Sequence, residues 1–270
     1  MSFLDRVQTK QTDLPPRIVI HGENGCGKTT FAASAKQPIF LLCEEGRGKL
    51  QLAALPDDAM NSYSDALAAI QELVAEKHDY KTLVIDTIDA FEPLVHKQVC
   101  DAHGKKHIED FGYGKGYYYA DPLWLDLFAL LDQLRRERQM WVVVLSHCTV
   151  KNVKDLQIGP YDKLMPKLHD RASAFLREWA DIVGYLATDA QAVTHGDEKG
   201  RKVRTARSAG QHILHLKSTG GFAAKNRYDL PDRIELPKEK PFDVLRKAVW
   251  NSILAERKAP AEEMQNAANQ

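Results

Sequence analysis

The chain of 270 residues carries 37 Lys and Arg against 37 Asp and Glu, so its formal net charge is zero; 44% of its residues are hydrophobic and 27% charged. That balance suits a globular protein with a large core. It excludes a global field that would recruit nucleic acid or membrane, so any DNA contact has to come from local patches.

Residues 1–16 read as an N-terminal extension without the apolar core of a signal segment. No apolar run approaches membrane-spanning length, so a cytoplasmic location and no membrane partner are expected. The apolar run "RIVIHG" (17–22) reads as a strand and leads into Gly22-Glu23-Asn24-Gly25-Cys26-Gly27-Lys28-Thr29. This stretch satisfies the P-loop pattern G-x-x-x-x-G-K-[ST] at every fixed position. The glycines let the backbone turn tightly and aim its N–H groups at phosphate oxygens, and "KTTFAASA" can open a helix behind them. ATP and Mg²⁺ are the expected ligands. Lys28 should reach the β- and γ-phosphates, the Thr29 hydroxyl should ligate the metal, and Thr30 completes the cradle.

Three further runs, "PIFLLCEE" (38–45), "KTLVIDT" (81–87) and "MWVVVLSH" (140–147), are almost continuously apolar. Such strands are buried on both faces, as in a parallel sheet covered by helices. "TLVIDT" ends in Asp86, the acid expected to hold the Mg²⁺ shell. Thr87 follows it, so the water-activating carboxylate is sought on another strand end. Glu44 and Glu45 close the strand at 38–45, facing the ligand crevice. Adjacent strand residues point to opposite faces, and Glu45 is the one expected to orient the attacking water. His147, at the end of the fourth run, is placed to sense the γ-phosphate.

The helices between them follow from spacing and caps. "SDALAAIQELVAEK" (64–77) repeats apolar residues at helical intervals. "DPLWLDLFALLDQLRRER" (121–138) opens on Asp121 as N-cap and Pro122 at the first helical position. Runs at 181–188 and 212–219 are later strands, and "THGDEKGRK" (194–202) reads as a turn between antiparallel strands. A last amphipathic helix over 242–257 precedes a frayed tail. The expected fold is α/β, with a mostly parallel central sheet flanked by helices, late antiparallel strands and a C-terminal helix; the placement of the P-loop, Asp86 and Glu45 resembles the RecA-like branch of P-loop NTPases. The core spans 17–237, with the C-terminal helix and tail at 238–270. The four cysteines, Cys26, Cys43, Cys100 and Cys148, form no C-x-x-C pair and read as reduced and mostly buried.

The segment 103–122, "HGKKHIEDFGYGKGYYYADP", combines glycines, lysines and clustered tyrosines. Mobile backbone, positive charge and π-faces suit single-stranded nucleic acid. The segment 148–171 follows His147 and is a second candidate contact.

Taken together, "GENGCGKTTFAAS", "PIFLLCEEG", "LVIDTIDAFEPL", "DFGYGKGYYYADPLW", "VVVLSHCTV", "REWADIVGYL" and "AKNRYDLP" resemble the phage-encoded RecA-core ATPases of single-strand annealing and recombination, often labelled phage nucleotide-binding proteins. These carriers fall within residues 17–231. One strand end departs from that family's D-T-E-G-G and reads C-E-E-G. The resemblance implies a DNA-stimulated ATPase that works as a homo-oligomer on single-stranded DNA, with a single-strand-binding protein as a further partner. It also implies that Lys225 and Arg227, a K-x-R pattern after a late strand, reach the ATP of a neighbouring subunit. A monomeric nucleotide-dependent switch or small-molecule kinase is the alternative. A kinase should carry an arginine-rich lid, and "LRRERQ", ending a helix before a buried strand, is a poor one.

Overall fold

The structure, a computed structural model, describes residues 14–45, 48–196 and 202–268, with the backbone alone at 190–196, 202–209 and 256–268. The apolar runs form β1 (Arg17–Gly22), β2 (Pro38–Leu42), β3 (Thr82–Asp86) and the first part of β4 (Trp141–Asp155). They are joined by β5 (Gly159–Pro166), β6 (Ile182–Gly196), β7 (Lys202–His215), β8 (Lys225–Asn226) and β9 (Arg233–Leu236). The sheet order is β2-β3-β4-β1-β6-β7-β9, with β5 paired to β4 and β8 to β6. Strands β2, β3, β4, β1 and β6 are parallel, and β7 and β9 add antiparallel edges.

Helices cover both faces, which is why these strands are apolar on both sides. On one face lie α2 (Tyr63–Ala75), α3 (Ile88–Ala102), α4 (Lys115–Arg138) and α5 (Asp170–Trp179). Phe91, Trp124, Leu127 and Leu176 pack there on Val19, Leu83, Ile85 and Val142. The other face carries α1 (Lys28–Ala33) and α6 (Pro241–Ala268). Phe31, Phe242, Leu245, Val249 and Ile253 bury against Ile18, Ile20, Val84 and Val143. Each fully buried side chain of this size stabilises the fold by about 1.5–3 kcal/mol. The mostly parallel sheet, late antiparallel strands and C-terminal helix are those expected.

Three segments differ from expectation. α4 starts at Lys115, behind Gly114 in the left-handed conformation, so the tyrosine-rich segment is largely helical rather than a mobile loop. Asp121 is not its cap but the partner of Arg171. Pro122 sits inside the helix; the carbonyl it leaves without a donor belongs to Tyr118, on the exposed side. The segment after His147 continues β4 outward and returns as β5, an antiparallel hairpin pairing Cys148 with Pro166 and Asp155 with Gly159. At the C-terminus the backbone is helical to Ala268, through the segment read as a tail. Residues 197–201 of the expected turn lie outside the described residues; the flanking Gly196 and Lys202 are antiparallel partners.

Asp181 opens β6 and ties down the strand edge remote from the P-loop. Burial would raise its pKa, but hydrogen bonds and charge from Arg17 and the charge of Arg135 hold it below the usual carboxylate range. Two of the three arginines of "LRRERQ" are structural. Arg135 donates to the Pro15 carbonyl, and Arg138 donates to the carbonyls of Val74 and Glu76.

Candidate nucleotide-binding site

The parallel register brings the carboxyl ends of four strands to one edge. Gly22 stands opposite His147, and Leu42 opposite Asp86. Beyond that edge lies a cleft of about 540 Å³, lined by the P-loop, Glu44, Glu45, Asp86, Thr87 and His147.

The P-loop needs its glycines for different reasons. Gly25 and Gly27 have φ of 75° and 92°, a region that favours glycine. At Gly22 the need is space, since a Cβ would lie 2.4 Å from the Leu186 carbonyl oxygen and 2.7 Å from Cys26 Sγ. Glu23, Asn24 and Cys26 fill the turn, and Thr30 lines the cleft. Lys28 is buried, and its ammonium donates to the carbonyls of Gly22 at 3.1 Å and Glu23 at 3.0 Å. It makes no carboxylate ion pair among the described residues, so a buried cation faces a cleft with room for an anion.

The Thr29 hydroxyl donates to Asp86 Oδ2 at 2.8 Å. Burial raises the Asp86 pKa; the Thr29 hydrogen bond opposes this, and the nearby Glu44 charge adds to it. A carboxylate in that position gains from a divalent cation. Among the described residues no group of three or more His, Cys, Asp or Glu side chains could hold a metal alone. A hydroxyl and one carboxylate fit Mg²⁺, which takes one or two protein oxygens and completes its shell with phosphate and water.

Glu44 and Glu45 both line the cleft but are held differently. Glu44 Oε1 lies 3.7 Å from His147 Nε2 and accepts from Thr87 Oγ1 at 3.4 Å. Glu45 is exposed and makes no hydrogen bond or ion pair among the described residues. His147 is bound from behind by Asp89, a residue the sequence reading passed over. Asp89 Oδ2 is 2.9 Å from Nδ1, and Oδ1 accepts the His147 backbone N–H at 2.9 Å. One turn along α3, Glu92 accepts the backbone N–H of His169. Asp89 and Glu92 therefore grip the chain on either side of the β4–β5 hairpin.

Lys225 and Arg227 do not join this cleft. Lys225 stands opposite Val183 in β6, itself level with Val19. That is three residues, about 10 Å along the strand, short of Gly22. Its ammonium donates to the carbonyls of Arg177 and Glu178. Arg227 is half-exposed and pairs with Asp181 at 3.2 Å.

A second cavity of about 290 Å³ abuts the other side of the P-loop, between Thr30 and Phe31 and the residues Leu186, His212, Leu236 and Pro237. His212 approaches Gly27, and its Nδ1 is buried without a partner among the described residues. Its mostly apolar walls and single imidazole suit a nucleobase. Neither P-loop spacing nor periodicity marks this cavity, because its residues come from three distant strands and the start of α6.

Among the described residues no helix is long and apolar enough to cross a membrane. The chain is 26% identical over 251 residues to the SPbeta prophage-derived uncharacterized protein YorG of Bacillus subtilis (strain 168), covering 91% of this chain and 68% of that one. Among solved structures it is similar to the RadB recombinase, at a TM-score of 0.46 and 11% identity, covering 84% of this chain and 90% of that one. It is also similar to the flagellar accessory protein FlaH from Methanocaldococcus jannaschii, at 0.41 and 12%, covering 82% and 86%. A family model described as an AAA domain matches residues 14–228, most of the chain and every element that builds the cleft. The chain belongs to the AAA domain family.

Proposed function

We propose that this protein hydrolyses Mg-ATP in the P-loop cleft and acts on single-stranded DNA as an oligomer, in phage recombination or strand annealing. The observation that carries the catalytic part is the convergence of Lys28, the Thr29–Asp86 hydrogen bond and the Glu44–His147–Asp89 array at one sheet edge. Mg-ATP, when bound, would supply the γ-phosphoryl group and a cation that neutralises phosphate charge. Lys28 would exchange its two backbone carbonyls for phosphate oxygens, and the P-loop N–H groups would hold the same oxygens. Thr29 and Asp86 orient the metal shell. The base is Glu44 rather than Glu45, because Glu44 is the glutamate held against His147 and Thr87; its Oε1 would take a proton from the water that adds to the γ-phosphorus, while the bond to the β-phosphate oxygen breaks and ADP leaves. His147 fixes Glu44 and links its position to the hairpin root.

The DNA-binding part rests on exposed rings and cations near that hairpin. Tyr113 is fully exposed, and Tyr118 and Tyr119 are about half-exposed on the first two turns of α4. Arg171 stacks 3.8 Å from the Tyr118 ring. The hairpin adds exposed Lys154 beside exposed Val150, Leu156 and Ile158; Lys151 is half-buried and paired with Asp170. Such a surface takes single strands through stacking and phosphate contact. The assembly part rests on Lys225 and Arg227 lying away from their own P-loop, where they serve a neighbour's nucleotide.

Phosphate release tests this reading. Turnover is expected to rise several-fold on adding a single-stranded oligonucleotide and to grow faster than linearly with protein concentration. Mixing inactive Lys28→Ala and Arg227→Ala chains should restore part of the activity. Linear turnover, unmoved by DNA and with no recovery in a verified mixed assembly, would leave a monomeric switch.

A further inference from the structure

Lys163 of β5, Arg177 of α5 and Lys225 of β8 line one cavity of about 320 Å³, outside the nucleotide cleft. All three are half-buried. None pairs with a carboxylate among the described residues. Lys163 donates to the Ser218 hydroxyl at 2.9 Å, Arg177 to the Ser173 carbonyl at 3.1 Å, and Lys225 to the carbonyls of Arg177 and Glu178 at 2.8 and 3.0 Å.

The neighbouring strand edge behaves differently. There Arg17, Arg135 and Arg227 all share Asp181. That cluster of cations is given a carboxylate. In the cavity the acid at hand is Glu178, which is exposed and makes no ion pair among the described residues. Burial lowers the pKa of Lys163, and the charge of Arg177 lowers it further. Lys225 is lowered by burial and then by Arg227. Lys163 therefore sits at a cost beside Arg177, and a bound anion relieves that cost.

We infer that this cavity is a second phosphate-binding site, formed by Lys163, Arg177, Lys225 and the Ser218 hydroxyl. Its shape favours one compact phosphate group over a phosphodiester strand. The cations come from three separate elements onto one cavity instead of running along a groove. The remaining walls, Met165, Val183 and Ala223 among them, offer no ring on which a base could stack. Two sources share this chemistry: the terminal phosphate of a nucleotide held by a second copy of the chain, and a free small phosphate compound. Only the first source rests on the reading of Lys225 given above.

Calorimetric titration with inorganic pyrophosphate at low ionic strength tests the site. Wild-type protein should take up two equivalents, one in the P-loop and one here. Lys28→Ala should keep one. The double variant Lys163→Gln, Arg177→Gln should also keep one, at the unchanged P-loop affinity, which shows that it is folded. A single wild-type equivalent that disappears in Lys28→Ala overturns the proposal, whatever the cavity variants do. Displacement of the second equivalent by a thymidine oligonucleotide at matched ionic strength also overturns it, because the cavity would then belong to a nucleic-acid strand.

Sedimentation separates the two sources. Wild-type chains loaded with a non-hydrolysable ATP analogue should associate with Lys28→Ala, but not with Lys28→Ala that also carries the double substitution. Two pyrophosphate equivalents without such association keep the phosphate site, assign it to a free phosphate compound and remove the trans reading alone.

Discussion

Asp89 holds His147 at two points, with one carboxylate oxygen 2.9 Å from the imidazole Nδ1 and the other 2.9 Å from the backbone nitrogen. This contact fixes the ring so that Nε2 faces Glu44 across 3.7 Å. Asp89→Asn keeps the shape and loses the charge. Turnover is expected to fall about tenfold to a hundredfold, with ATP affinity within about threefold of wild type. Steady-state phosphate release together with nucleotide titration reads both. Unchanged turnover would show that His147 needs no such positioning.

Glu44 and Glu45 separate cleanly by substitution. Glu44→Gln should bind ATP normally and turn it over about 10²–10⁴-fold more slowly, the range of a lost general base. Glu45→Gln should stay near wild type. The reverse pattern would return the base to Glu45, and two active variants would move it off this strand end.

Gly22 has no room for a side chain, because a Cβ meets the Leu186 carbonyl at 2.4 Å. Main chain has to shift to admit it. Gly22→Ala should lower stability by about 1–3 kcal/mol and weaken nucleotide binding as the loop moves. A urea midpoint equal to wild type would show that the strand edge yields freely.

Glu92 introduces a pH dependence. Burial pushes its pKa up from 4.5 to about 7, against the His169 hydrogen bond and the Lys151 charge, with Asp89 adding to the rise. The folded state therefore binds this proton more tightly than the unfolded state does. The contribution to stability is complete below pH 4.5 and is lost as pH rises to about 7. It amounts to about 1–3 kcal/mol. Glu92→Gln retains an acceptor for His169 and removes the titration. Denaturation curves at pH 4.5 and 7.5 should show the wild type losing more stability than the variant over that interval. Equal losses would contradict the account.

The parallel strands and the P-loop were legible because burial on both faces writes itself as unbroken apolar runs, and because phosphate cradling demands glycines at fixed spacing. The start of α4 was misread for a physical reason. Asp121-Pro122 has the chemistry of a helix start, whereas the actual N-cap, Gly114, offers no side chain, and Asp121 is used by Arg171, 50 residues away. In the hairpin after His147 the side chains alternate between half-buried and exposed from Thr149 to Asp155, but the sequence does not mark it, because Val150 and Val153 fall on opposite faces. Asp89 was hidden because its partner lies 58 residues along the chain. Only the β3–β4 pairing brings them together. The same holds for the Lys163–Arg177–Lys225 cavity, assembled from three elements with no common motif.

The cleft beside Lys28, Thr29 and Asp86 is proposed to bind and hydrolyse Mg-ATP. The most direct measurement compares phosphate release and ATP binding by wild-type protein and Lys28→Ala, each with Mg²⁺ and with chelator, after circular dichroism has shown both folded. The account predicts Mg²⁺-dependent turnover by wild type and loss of binding or turnover in Lys28→Ala. Equal binding and hydrolysis by the folded variant would contradict it.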